Sequence, residues 1–229
     1  MFTQLKSHLR RLDRRLRDSF GNDITTPAGR RAAYLHFNLM DHAFLRVLWT
    51  NMAQIAPGVW RSNQPGPARL RRYRDMGIRT VISLRGDSTK SHHLLEQEAC
   101  EELGIDLWVT ALNARQAPRR KKLLELLDFF DRVEKPFLMH CKSGSDRAGL
   151  AAALYLMHVE GQPVEVAAKQ LSIRFLHLKN APTGILDHML DMYAADTAQT
   201  PMPIRQWIVE RYSPAKLTES FAQWRGKAD

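Results

Sequence analysis

FLMHCKSGSDRAGLAAALYLM, residues 137–157, constrains the fold more than any other stretch. An apolar run of strand length ends in His140-Cys141, a short loop of small and polar residues closes on Arg147, and an alanine-rich helical pattern begins at once. A strand passing through a tight loop into a helix is the repeating unit of α/β proteins, and open α/β sheets gather their ligands at the carboxyl ends of strands. Gly144 permits the sharp backbone path at mid-loop.

The flanking sequence repeats the alternation. GVWRS reads as a short strand, PARLRRYRDMG as a helix closed by Gly77, and IRTVISLRG as a β-branched strand. A helix over LLEQEACEELG, a strand over DLWVTAL, a basic loop over ARQAPRRKK and a helix over LLELLDFFDRV lead back to the strand at 137. The expected fold class is therefore α/β, with a mostly parallel central sheet flanked by helices and with helical N- and C-terminal extensions. Residues 1–50 are read as a basic amphipathic helical extension, 51–195 as the main domain, and 196–229 as a C-terminal helical tail packed on it. AAYLHFNLMDHAFLRVLW, inside the extension, is expected to begin a second helical stretch.

With 229 residues and 44% hydrophobic content, the chain can bury a substantial core. Only Cys100 and Cys141 are present, so a disulfide scaffold is not expected and one thiol is a candidate for chemistry. The start of the chain lacks the uninterrupted apolar segment of a secretory signal, and no later run approaches the ~20 apolar residues of a membrane span. The expectation is a soluble, cytoplasmic protein. The net charge of +10 points to anionic partners. Phe2, Leu5, Leu9, Leu12, Leu16 and Phe20 recur at helical spacing, with five arginines on the other faces. Residues 1–20 thus suit either an anionic membrane surface, which would make the protein peripheral there, or packing on the domain.

A loop that feeds a helix points successive N–H groups into one concavity, where the helix dipole adds partial positive charge. That cup suits a phosphate. Arg147 offers a planar fork for two phosphate oxygens, and the positive surroundings favour the Cys141 thiolate, the form that attacks phosphorus.

His140-Cys141-Lys142-Ser143-Gly144-Ser145-Asp146-Arg147 matches the His-Cys-x5-Arg signature and resembles the cysteine-dependent protein tyrosine phosphatase superfamily. GVWRSNQPGP followed by MGIRTVISLRG resembles the compact dual-specificity branch of bacterial type. The resemblance spans about residues 55–195 and implies a dual-specificity-like fold. It also implies phosphomonoester hydrolysis through a cysteinyl-phosphate, with Cys141 as nucleophile and Arg147 as phosphate clamp. His140, Lys142, Ser143, Gly144, Ser145 and Ala148 would form the substrate cradle, His140 by ordering the loop. Rhodanese-type and arsenate-reducing enzymes also use a cysteine loop, but five residues between Cys and Arg favour phosphate. No cofactor and no metal are expected, and His92 and His93 are read as solvent-facing.

Two departures from the family pattern matter. Its usual general acid is an aspartate some thirty residues before the cysteine, yet residues 110–122, TALNARQAPRRKK, contain no carboxylate. Asp106 is the nearest upstream candidate, inside or just before a strand. Asp146, immediately before the arginine, occupies the place of the proposed acid in myotubularin-type and Sac-type phosphoinositide phosphatases; it either donates the proton or braces the loop. Ala148 stands where the superfamily usually has a serine or threonine. Lys142 follows the cysteine as in phosphoinositide-specific tumour-suppressor phosphatases. With Arg115, Arg119, Arg120, Lys121 and Lys122 it implies a phosphorylated anionic substrate, with a modest preference for phosphoinositides or other lipid phosphates. A protein tyrosine phosphatase acting on phosphoproteins is the first alternative. An RNA 5′-phosphatase, disfavoured because no aromatic stacking platform is evident, and a non-catalytic phosphate-binding adaptor are the others.

Overall fold

Thr80–Ser83 and Phe137–Cys141 are continuous buried runs, the pattern of strands covered on both faces, and they occupy the middle of the sheet. The computed structural model describes residues 20–226. Its strands are β1 (Ala53–Ala56), β2 (Val59–Asn63), β3 (Thr80–Ser83), β4 (Asp106–Val109) and β5 (Phe137–Cys141), in the order β1-β2-β5-β3-β4. All neighbours run parallel except the hairpin pair β1–β2. β5 is central and in register with Val59–Asn63 on one side and Thr80–Ser83 on the other, so Asn63 lies beside Cys141 and Ser83 beside His140. The mostly parallel sheet flanked by helices is the expected one; β1, a short edge strand, was not anticipated.

Side chains alternate between two cores, as strand periodicity demands. Val81 and Leu138 face α3 (Pro67–Asp75) and α4 (Ser91–Leu103), where they meet Leu70, Tyr73, Ala99 and Cys100. Val59, Ile82, Phe137 and Met139 face the larger core, built from α5 (Arg120–Arg132), α6 (Asp146–His158) and α8 (Ile185–Thr197). Ala148, Ala151, Ala152 and Ala153 are fully buried, and their small side chains let α6 lie close against the sheet.

Chain at either end of the sheet packs onto it. α1 (Pro27–Leu35), capped by the Thr26 hydroxyl, ties to α4 through a two-pronged Arg30–Glu98 pair at 2.6 and 2.7 Å. The stretch read as one second helix is instead broken. α1 passes into a π-helical turn at His36–Met40, His42 takes φ +58°, and only Leu45–Leu48 resumes as α2. The break serves packing: Phe37 and Ala43 turn inward toward Leu95. The apolar stripe from Phe2 to Leu16 lies outside the described residues; Phe20 meets the His36 ring edge-on at 5.2 Å. Beyond α6 come the short α7 (Val164–Ala167) and 3₁₀ turns at Ala168–Gln170, Ile173–Phe175 and Pro182–Gly184.

Past α8, the helices α9 (Ile204–Glu210) and α10 (Pro214–Gly226) and the link between them bury Trp207, Ile208, Tyr212, Leu217 and Phe221 in the larger core. Trp207 is wholly enclosed beside Tyr193 and Tyr212 and donates its indole N–H to Asp196 at 2.7 Å. Replacing Trp207 with Ala is expected to cost about 3–5 kcal/mol, read as a lower urea midpoint. A loss under ~1 kcal/mol would mean that the tail stabilises little.

Candidate functional site

The loop after β5 is shaped from below by a buried cation. Arg61, on neighbouring β2, is fully enclosed and donates to the carbonyls of Gly144 (2.5 Å) and Ser145 (3.0 Å) through one nitrogen, and to the Gln170 carbonyl (2.7 Å) and side chain (2.9 Å) through another. Its plane lies over the Phe175 ring at 3.8 Å. Burial lowers its pKa to about 10, with the neighbouring Cys141 and Asp146 acting in the opposite sense, so it stays charged at neutral pH. Drawing two loop carbonyls down to Arg61 turns the peptide planes so that N–H groups face the other side. That side is the concavity above Cys141.

Gly144 closes the turn at φ +73°, and a Cβ there would lie 2.6 Å from the Asn63 backbone nitrogen. Asn51 holds the outer edge, its amide donating to the Ser143 and Phe175 carbonyls at 3.1 Å each. Cys141 is buried at the end of β5, and half-buried Arg147 reaches back to the Leu84 carbonyl at 3.4 Å. Cys141, Arg147, Lys142, Ser143, Gly144, Ser145 and Asp146 therefore belong to one loop and the first turn of α6. Two of the expected cradle residues present no side chain to it. Ala148 is enclosed in the core, and the wholly buried His140 lies 2.8 Å from Glu96 Oε1, a close contact outside hydrogen-bond geometry.

Asp106 is the exposed first residue of β4, level with Thr80 and Phe137, at the edge of the sheet opposite the loop. Asp146 behaves differently. Its Oδ1 lies 2.8 Å from His177 Nδ1, and His177 Nε2 lies 2.6 Å from Asp187 Oδ2. Burial opposes charge on this ring, but hydrogen bonds to Asp146 and then Asp187 outweigh it and raise the pKa to about 9.

On the other flank, the chain before β1 reaches into the site. Asp41 follows the π-helical turn and receives two bonds from Arg85 (2.7 and 2.9 Å) and two from Arg46, one to its carboxylate and one to its carbonyl, both 2.7 Å. Lys142 stands 3.4 Å from the same carboxylate. Burial opposes ionisation of Asp41, but the Arg85 bonds and the charges of Arg85, Arg46 and Lys142 hold it well below the usual carboxylate range. Gln64 joins in, donating to the His92 carbonyl and accepting from Arg85. Asp41, Arg85, Lys90, His92 and Lys142 line a cavity of about 260 Å³ beside the loop.

The expectation that His92 and His93 face solvent is corrected. His92 lines that cavity, with its pKa lowered to about 3 by burial and then by Arg85, and His93 is buried within 3.1 Å of Asp87. Both sit in the first turn of α4, which packs against the segment carrying Asp41. In the expected basic cluster, Arg120, Lys121 and Lys122 form the first turn of α5. Arg120 donates to the Tyr212 carbonyl and Lys122 pairs with Glu125 at 2.6 Å, while Arg115 and Arg119 remain exposed. Cys100 is buried and its pKa is pushed up to about 12, so it is an inert thiol.

Sequence reasoning missed Arg61, Asp41, Arg85, His177 and Asp187. Arg85, the next-to-last residue of IRTVISLRG, was visible as charge at a strand end; the rest depend on pairings across the fold.

This geometry has relatives. Residues 58–183 match the family described as PTP-SAK: Swiss Army Knife protein, DSP-PTPase phosphatase domain, and the chain belongs to that family. It is 26% identical over 121 residues to the dual specificity protein phosphatase TpbA of Pseudomonas aeruginosa PAO1, a match covering 53% of each chain. The chain thus spans about half the length of the curated relatives it matches. In fold it resembles the DUF442 protein of Shewanella putrefaciens CN-32, with a TM-score of 0.54, 22% identity, and 64% of this chain and 90% of that one covered. It also resembles Tk-PTP in its active form, with a TM-score of 0.51, 20% identity, and 63% and 98% covered.

Replacing Arg61 with Leu removes the charged donor to Gly144, Ser145 and Gln170 and strands their carbonyls. The expected cost is on the order of 3 kcal/mol in unfolding free energy, together with loss of protection by inorganic phosphate in thermal denaturation. Undiminished phosphate protection would show that Arg61 does not shape the loop.

Proposed function

We propose that the chain is a cysteine-dependent phosphatase acting on phosphomonoesters, with a preference for phosphate carried on an anionic lipid. In the first step the Cys141 thiolate attacks phosphorus, an S–P bond forms, the P–O bond to the leaving group breaks, and the departing oxygen takes a proton from Asp146. Arg147 and the loop N–H groups hold the three remaining oxygens as their charge shifts. In the second step water attacks phosphorus, its proton passes to Asp146, the S–P bond breaks, and the thiolate returns as inorganic phosphate leaves. Membership of a dual-specificity-type family and similarity to the dual specificity protein phosphatase TpbA support the phosphatase activity.

The observation that carries the lipid preference is the segment Phe44–Trp49. Phe44, Leu45, Val47 and Leu48 are 51, 55, 73 and 93% exposed, far more apolar surface than a short buried-side segment leaves in water. The same segment is tied to the site, because the Asn63 side chain donates to the Trp49 carbonyl and Asn63 N–H to the Thr50 carbonyl. Leu176, Leu178 and Ile173, also exposed, stand on the loop that Asn51 ties to the phosphate cup. Apolar side chains flanking a cup rimmed by Lys142 and Arg85 match a surface that is apolar at depth and anionic at its face.

Phosphate release should be compared on phosphoinositide presented in vesicles, the same lipid headgroup free in solution, and phosphotyrosine peptides. The expected order places the vesicle first, Cys141→Ser abolishes release on all three, and Leu48→Asp with Val47→Asp lowers only the vesicle rate, by about tenfold or more. Peptides turned over orders of magnitude faster than any lipid would overturn the preference and leave a protein tyrosine phosphatase.

A further inference from the structure

His177 is almost wholly buried, yet both of its ring nitrogens face carboxylate oxygens, Asp146 Oδ1 at 2.8 Å and Asp187 Oδ2 at 2.6 Å. A neutral imidazole has one N–H and one lone pair, so it can satisfy only one of these contacts and would set its lone pair against the other carboxylate. An imidazolium satisfies both. Asp146 is held on the first turn of α6 beside Arg147, while Asp187 comes from the first turn of α8, so the ring joins the catalytic loop to a distant element.

We propose that His177 is the store of the proton that Asp146 hands to the leaving oxygen, with Asp187 holding the ring in its charged form. The inference rests on the phosphatase reading above and deepens it. The Nδ1 proton passes to Oδ1 of Asp146, which becomes a carboxylic acid beside a neutral ring, and as the P–O bond breaks the leaving oxygen takes that same proton from Asp146. Asp146 ends as a carboxylate, and the neutral ring still donates from Nε2 to Asp187. As water attacks the cysteinyl-phosphate, its proton travels the same way back to Nδ1. One proton goes out and one returns, so the cycle closes without a co-reactant. His177 acts through Asp146 and is a positioning residue; Asp146 meets the substrate.

The arrangement accounts for how a carboxylate beside an arginine supplies a proton at neutral pH: the proton is kept on the ring. The groups facing the relay are Asp146 on α6, Asp187 on α8, Arg61 on β2, which faces Asp146 and Cys141, and Arg174, which faces Arg61. The two carboxylates touch the ring and the arginines do not, and its pKa is accordingly raised to about 9 against the opposing effect of burial.

The test measures kcat/KM of the full chain against pH for phenyl phosphate, a poor leaving group, and dinitrophenyl phosphate, a good one. Wild type is expected to hold its phenyl phosphate activity up to a basic limb near pH 9. Asp187→Asn removes one carboxylate and should move that limb toward the ordinary imidazole range, roughly 6.5. His177→Gln should lose ~10²-fold on phenyl phosphate and no more than about threefold on dinitrophenyl phosphate. Nitrogen NMR of the wild-type ring should show both nitrogens protonated at neutral pH, which does not depend on turnover or on any variant folding. Equal losses on both esters, an unmoved limb in Asp187→Asn, or a singly protonated ring would each overturn the relay while leaving the phosphatase reading intact. Absence of Cys141-dependent release from both esters would overturn that reading and the relay with it.

Discussion

A cation with no access to water, Arg61, sets the shape on which the rest of the site depends. Burying a guanidinium is costly unless its donors find acceptors, and here its two terminal nitrogens find the loop carbonyls of Gly144 and Ser145 and the chain at Gln170, while Nε has no partner. A peptide cannot point its carbonyl and its N–H the same way, so fixing those carbonyls downward aims the N–H groups upward into the cup. The same contacts bring the segment after α7 against the loop. Gly149 admits that approach, since a Cβ there would meet Leu171 Cδ2 at 2.7 Å. The loop is therefore a compromise between β5, β2 and the 170s segment, and each of them constrains where Cys141 and Arg147 sit.

The second constraint is electrostatic and comes from the chain before β1. Arg46, Arg85 and Lys142 crowd one corner of the site, and without Asp41 their mutual repulsion would splay the mouth. Asp41 removes it by accepting from two guanidiniums at once, and the π-helical turn with its positive-φ His42 presents it there. Net positive charge survives beside the loop, which favours an anion, while the arginines are held in place by pairing. The chain before β1 is thus structural and electrostatic at once.

How far these features could be read from sequence follows their contact distance along the chain. The strand–loop–helix of residues 137–157, the alternation leading to it and the roles open to Cys141 and Arg147 were legible, because each is a local pattern. Asp106 reads as lying in or just before a strand, away from the carboxyl ends where ligands gather, and it is the first residue of β4. His177 and Asp187 carry no motif and meet Asp146 only through the fold of the 170s segment. His92 and His93 looked polar and adjacent, yet α4 packs against α1 and the Asp41 turn, which encloses them. Residues 32–49 read as helical because propensity continues through Leu39 and Met40. The burial of Phe37 and Ala43 and the pairing of Asp41 outweigh that propensity and break the helix.

The location of the carboxylate has a dynamic consequence. In the chain between β4 and α5, where the family usually keeps its acid, Asn113 accepts from Arg115 N–H at 2.9 Å and donates to Gln116 at 3.0 Å, and Gly86 N–H donates to the Thr110 carbonyl. The loop is held by these local turns and offers no proton donor. An acid on a separate loop has to arrive with the substrate, so loop closure enters the catalytic cycle. Asp146 sits instead one residue from Arg147 on a helix packed against the central strand, and its distance to the cup is fixed by α6 itself. Preorganisation of that kind removes a closure step and leaves the supply of the proton to the groups that touch Asp146. In the proposed relay the buried ring between two aspartates meets that need with residues that also pin the 170s segment beneath the loop, so bracing and proton supply would fall on the same three side chains.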